Sequence, residues 1–113
     1  MIKIIEVNIS EIILDEKACS EMITRACNRH SSWQVRGINS DEFIVYVVIE
    51  DTPAPSVKNY RLAPLPGGNK EEIVAEIKNR YFNGFTTIGS FMTDKGRYAL
   101  FAEVVLPKEQ ETE

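Results

Sequence analysis

"EFIVYVVIE", residues 42–50, is the most hydrophobic stretch of the chain, and its reading decides the fold. A β-branched run of this length beside turn formers reads as a strand. Side chains alternate across a strand, so Phe43, Val45, Val47 and Ile49 share one face, and Ile44, Tyr46 and Val48 share the other. Both faces are apolar. A strand with one wet face would alternate apolar with polar residues, so this one needs cover on both sides.

Upstream, 33–38 reads as the partner strand, turning back through Asn39-Ser40-Asp41. Before it, Ala18, Cys19, Met22, Ile23, Ala26 and Cys27 recur in pairs every four residues, the stripe of an amphipathic helix. Asp15 is its expected N-cap, and it ends near His30. Ile2 to about Ile9 reads as a first strand, with a bulge expected where alternation slips at Ile4-Ile5. "SEIIL" (10–14) reads either as the strand's end or as a turn packing under the helix.

Downstream, the order repeats. After a linker at 51–59, "YRLAPLPGG" (60–68) starts as a strand and breaks at Pro64 and Pro66. "NKEE" (69–72) is a capping-box pattern opening a second helix, with Ile73, Val74, Ile77 and Tyr81 as its stripe and Asn83-Gly84 as its stop. A second hairpin runs through "MTDKG" (92–96), expected as the longer of the two turns, into a return strand at 97–106. The acidic tail 107–113 is expected to be disordered. Helix ends "RACN" (25–28) and "RYFN" (80–83) align. Trp33 and Gly37 align with Phe85 and Gly89, and Phe43 and Tyr46 align with Tyr98 and Phe101. Arg29, His30 and Ser31 have no counterpart.

The expected fold is therefore α+β. Two tandem β-α-β-β units, about 1–50 and 60–106, form a largely antiparallel sheet with two helices on one face, all in a single domain spanning 1–113. Each half resembles small uncharacterised bacterial β-α-β-β domains, in which a helix leads through a Gly-Trp-type step into a hairpin. Here Ser32-Trp33 and Gly84-Phe85 stand at that step. The resemblance implies a fold and a bacterial source, and no activity.

Two helices cannot cover both faces of six strands. The cover for the second face is expected from a second copy, a dimer most simply, ahead of the two halves closing on each other or a ligand. The lead expectation is thus a non-catalytic oligomerising or binding module that works through the sheet face bare of helices. An alternative is a binder of a small anionic ligand, in a pocket lined by Arg29, His30, Trp33, Arg36, Tyr46 and Phe101. A third is a small enzyme using His30 as general base. His30 equally fits a helix C-terminus, where an imidazole bonds free carbonyls, and Trp33 fits core packing.

Other classes are disfavoured. A formal net charge of −4 lacks the basic surface that nucleic acid demands. No apolar run reaches the ~20 residues of a membrane span. The N-terminus does not read as a signal peptide, and a cytoplasmic location is the expectation. Cys19 and Cys27 lie too far apart on one helix to form a disulfide and are too few for a zinc site, so no metal or cofactor is expected. "PLPGGNK" (64–70) leads into a helix N-terminus, which can bind anions, but it lacks the Gly-Lys-Ser/Thr ending of a P-loop.

Overall fold

The computed structural model describes residues 1–28, 33–52 and 57–104, with backbone alone at 57, 58 and 104. The order is β1 (Ile2–Asn8), α1 (Ile9–Leu14), α2 (Glu16–Asn28), β2 (Trp33–Ser40), β3 (Ile44–Asp51), β4 (Val57–Pro64), α3 (Lys70–Phe82), β5 (Phe85–Thr93) and β6 (Gly96–Val104). The class is α+β and every strand pairing is antiparallel. Instead of one six-stranded sheet there are two three-stranded sheets, ordered β1-β3-β2 and β4-β6-β5.

The two sheets close on each other. Val7, Val45, Val47 and Ile49 from the first share one core with Leu62, Phe91, Tyr98 and Leu100 from the second. The return strand β6 is buried on both faces, because Ala99 and Phe101 point the other way and pack under Ile73 and Ile77 of α3. The cover that the apolar strands demanded thus comes first from within the chain, which corrects the ranking of a second copy ahead of the halves closing. Nor do the helices share one face. Cys19, Ile23 and Cys27 of α2 join the core between the sheets, whereas α3 lies on the far side of the second sheet.

Helix α2 also does something its sequence stripe did not announce. It runs beside β4, the edge strand of the second sheet, and closes that edge with hydroxyls. Leu62 N–H donates to Ser20 Oγ (2.8 Å), and Tyr60 N–H donates to Thr24 Oγ1 (2.9 Å), which donates in turn to the Tyr60 carbonyl (3.2 Å). Pro64, next in the same alternating series, has no N–H to satisfy. An open strand edge is a template for unwanted pairing, and here a helix stands in for the missing strand. This turns the buried side of α2 toward Ser20, leaving Ala18 and Met22 exposed.

Local chemistry sets the element ends. Asp15 caps α2 by accepting from Ala18 N–H (3.1 Å). Asn69 caps α3 by accepting from Glu72 N–H (2.9 Å), while the Glu72 carboxylate reaches one residue past the cap, to Gly68 N–H. Gly84, at φ 93, ends the turn after α3. "SEIIL" is neither strand end nor loose turn: it belongs to α1, which buries Ile9 and Ile12. β1 pairs with β3 without a register shift, so the bulge expected at Ile4-Ile5 is absent. Bulges sit instead between Val35 and Gly37 and between Thr87 and Gly89. The second hairpin turn is the shorter, since Thr93 pairs with Gly96 across Asp94-Lys95, while Asp41, Glu42 and Phe43 separate β2 from β3. Phe43 falls in that turn and is exposed. Val74 and Tyr81 of the expected α3 stripe are exposed too, leaving Ile73 and Ile77 to hold the helix down.

At Gly89 the second sheet packs tightly against Ile38 of the first. A Cβ there would meet Ile38 Cγ1 at 2.9 Å. Gly89→Ala is expected to force β2 and β5 apart and lower stability by about 1–3 kcal/mol, read as a lower urea midpoint. Gly37→Ala, where a Cβ meets nothing within 4 Å, is the control.

Candidate functional site

The first sheet has an outer face as well as an inner one. Register places Ile4 opposite Val48 and Glu6 opposite Tyr46, with Ile2 opposite Glu50. These side chains point away from the core that Val45, Val47 and Ile49 enter. Ile2 and Ile4 are 58% and 57% exposed. Ile44, Tyr46 and Val48 are half-buried by one another. Polar groups frame the patch. Arg36 Nε donates to Glu50 Oε1, and Tyr46 OH donates to Asp41 Oδ2 (2.8 Å). Backbone N–H groups of Phe43 and Ile44, together with that phenol, hold the Asp41 carboxyl below its usual range.

A groove of about 920 Å³ lies between α2 and the second sheet. Its wall is the side of α2 along β4, with Glu21, Thr24 and Arg25. Its floor is the end row of the second sheet, where Asn59 and Phe85 flank Glu103. Asn59 Nδ2 donates to Glu103 Oε1 (2.9 Å). Helix α3 covers the rows of Ala63, Ala99 and Phe101 and stops at Phe82, so among the described residues it does not extend over that end row.

Of the residues singled out from sequence, the four that are described, Trp33, Arg36, Tyr46 and Phe101, do not meet in one pocket. Arg29 and His30 lie outside the described residues, as do Ser31 and the tail. Trp33 sits at the end of β2 with Lys3 Nζ 4.8 Å from its ring centroid, in a hollow shared with Met22 and Arg25. Arg36 and Tyr46 stand on the outer face of the first sheet. Phe101 is fully buried beneath α3, with the Arg80 guanidinium 4.8 Å from its ring centroid. The expected pocket fails because a one-residue step along a strand changes the face, which puts Tyr46 and Phe101 on opposite sides of the sandwich.

The Gly-rich turn is occupied by its own helix cap, since Asn69 accepts from the first-turn amide of Glu72 and the Glu72 carboxylate accepts from Gly68 N–H. Among the described residues no group of three His, Cys, Asp or Glu side chains is placed to hold a metal ion. What sequence reasoning missed is Ser20 with Thr24. Hydroxyls one turn apart on one helix side were the available signal.

Cys27 lies against Tyr60, whose phenol accepts from Val35 N–H (2.9 Å) and so ties the second sheet to the first. Burial pushes the Cys27 thiol up to about 11, opposed by its hydrogen bond with Tyr60. Burial likewise pushes the Tyr60 phenol up to about 12. Both groups stay neutral in the fold and ionise earlier when unfolded, so the unfolded state holds fewer protons above pH 9 and stability falls as pH rises from there. Native protein at pH 8 is expected to leave Cys27 unalkylated by iodoacetamide, and urea midpoints should drop between about pH 9 and 11. Rapid native labelling of Cys27, read by peptide mass, would contradict the burial.

Comparison of the chain with family models, with curated proteins and with solved structures finds no match.

Proposed function

We propose that the protein is a non-catalytic oligomerising module whose working surface is the outer face of the first sheet. The observation that carries this reading is the exposed pair Ile2 and Ile4 beside the half-buried Ile44, Tyr46 and Val48. Burying such side chains is favourable by about 1.5–3 kcal/mol each, and a contiguous apolar patch with a polar frame is the form of a protein contact. The occupant is a second copy meeting the face around a two-fold axis, which brings each Ile4–Val48 row onto its equivalent.

Ile4→Lys tests it. The side chain is exposed, so the fold should survive by circular dichroism while the charge is placed in the contact. Wild type is expected as an oligomer by size exclusion with light scattering at micromolar concentration, and Ile4→Lys at half its mass. A wild-type monomer, or an oligomer indifferent to Ile4→Lys, would refute the reading.

A further inference from the structure

The end of α3 carries two aromatic side chains that the fold does not use. Phe82 is 83% exposed and Tyr81 is 66% exposed. Their rings meet edge to face, with centroids 6.2 Å apart, so they form one knob rather than two stray residues. Isolated exposed apolar groups are ordinary, but a preassembled aromatic pair is the usual anchor of a protein contact. The groove between α2 and the end row of the second sheet begins where this helix stops, and Phe85, three residues beyond Phe82, is part of its lining. A two-residue turn, Asn83-Gly84, thus separates the knob from a lining residue of the groove.

We propose that two copies of the chain associate around a two-fold axis at this end, each seating its Tyr81–Phe82 pair in the groove of the other. A two-fold axis between knob and groove makes the contact isologous, each knob entering the other copy's groove, and it closes at two copies. The groove's charges favour this occupant over an ion. Lys17, Arg25 and Arg61 are matched by Glu16, Glu21 and Glu103, so a ligand of one sign meets as much repulsion as attraction. A neutral ring with a hydroxyl, over a floor that includes Phe85, meets neither. Size agrees as well. Large aromatic side chains bury about 150–250 Å² each. Two rings from each copy, with the groove surface they cover, remove about 1,200 Å² from water, the low end of specific interfaces. The contact lies on the second sheet and is independent of the outer face of the first.

Size exclusion with light scattering on the full chain tests the proposal with three variants. Phe82→Asp puts a charge on the knob at a position that contributes nothing to the core. Glu21→Trp fills the groove from its wall. Each is expected to halve the mass found for wild type at tens of micromolar while circular dichroism stays unchanged. Ile4→Lys, which addresses the first sheet, leaves this contact in place, so the α3 contact is read as the mass that Ile4→Lys keeps and that Phe82→Asp added to it removes. A monomeric wild type overturns the proposal. So does a mass that responds to Ile4→Lys but to neither Phe82→Asp nor Glu21→Trp, an outcome that leaves the first-sheet reading standing alone. A mass that responds to Phe82→Asp but not to Ile4→Lys supports the α3 contact and removes the other.

Discussion

Phe101→Ala is expected to cost about 3–5 kcal/mol, the largest loss for any single substitution in the second sheet. Phe101 is fully buried on the central strand β6, in a cluster with the small neighbours Ala63 and Ala99, beside Phe85 of β5 and under Ile73 and Ile77 of α3. Ala63 and Ala99 are too short to fill the cavity that the ring would leave. The substitution also removes the ring beneath the Arg80 guanidinium, a contact worth about 0.5–1 kcal/mol where solvent reaches it. Helix α3 has no fully buried residue of its own, so Phe101 is what it chiefly rests on. The midpoint of thermal unfolding should fall by roughly 12–20 °C, with the amides of α3 losing hydrogen-exchange protection before those of the first sheet. Phe101→Leu should cost less than about 1.5 kcal/mol. If Phe101→Ala melted with wild type, the buried position assigned to this ring would be wrong.

The paired substitution Ser20→Ala with Thr24→Val is expected to cost about 2–5 kcal/mol, although it removes only two hydroxyls from one helix. The side chains left behind are close in size to the originals, so packing changes little. What changes is the edge of β4. Leu62 N–H, Tyr60 N–H and the Tyr60 carbonyl lose their partners on α2, and an orphaned buried backbone group costs about 1–3 kcal/mol. The cost is fullest at the buried Leu62 N–H and less at the part-buried Tyr60 groups. Hydrogen exchange at Tyr60 and Leu62 should quicken ahead of global unfolding. The freed edge should raise the tendency to aggregate, because it again offers unpaired backbone groups to another chain. Ser20→Thr with Thr24→Ser keeps both hydroxyls and should restore most of the loss. Wild-type stability and exchange in the Ala/Val variant would show that the edge is closed some other way.

Much of the local structure was legible. Asp15 and Asn69 announced the helix starts because a short polar side chain before an apolar run has one obvious use. Gly84 announced the stop of α3. The run at 42–50 announced a strand, and its Val45, Val47 and Ile49 side is buried in the core. The misreadings share a cause, which is that sequence spacing does not fix register. Aligning Tyr46 with Phe101 is reasonable by residue type, but the first faces away from both helices and the second lies under α3. The stripe on α2 was read as Ala18, Cys19, Met22 and their successors. The helix is rolled toward Ser20 because an edge strand of the other half asks for hydroxyls there. Tyr81 fell at stripe spacing yet stays outside, since α3 packs on the sheet chiefly through Ile73 and Ile77.

The sequence by itself determined the element types and most of their order, because caps, turn residues and apolar periodicity act within a few residues of one another. It also determined that the apolar strands needed cover. Which surface gives that cover was decided only in three dimensions. The free-energy gain of burial is non-directional and is the same whether the partner face belongs to this chain or another. Only the closing of one three-stranded sheet on the other, with α2 against the edge of β4, settles which faces are used up. What remains outside, the face of Ile2 and Ile4 and the aromatic end of α3 beside its groove, follows from that choice.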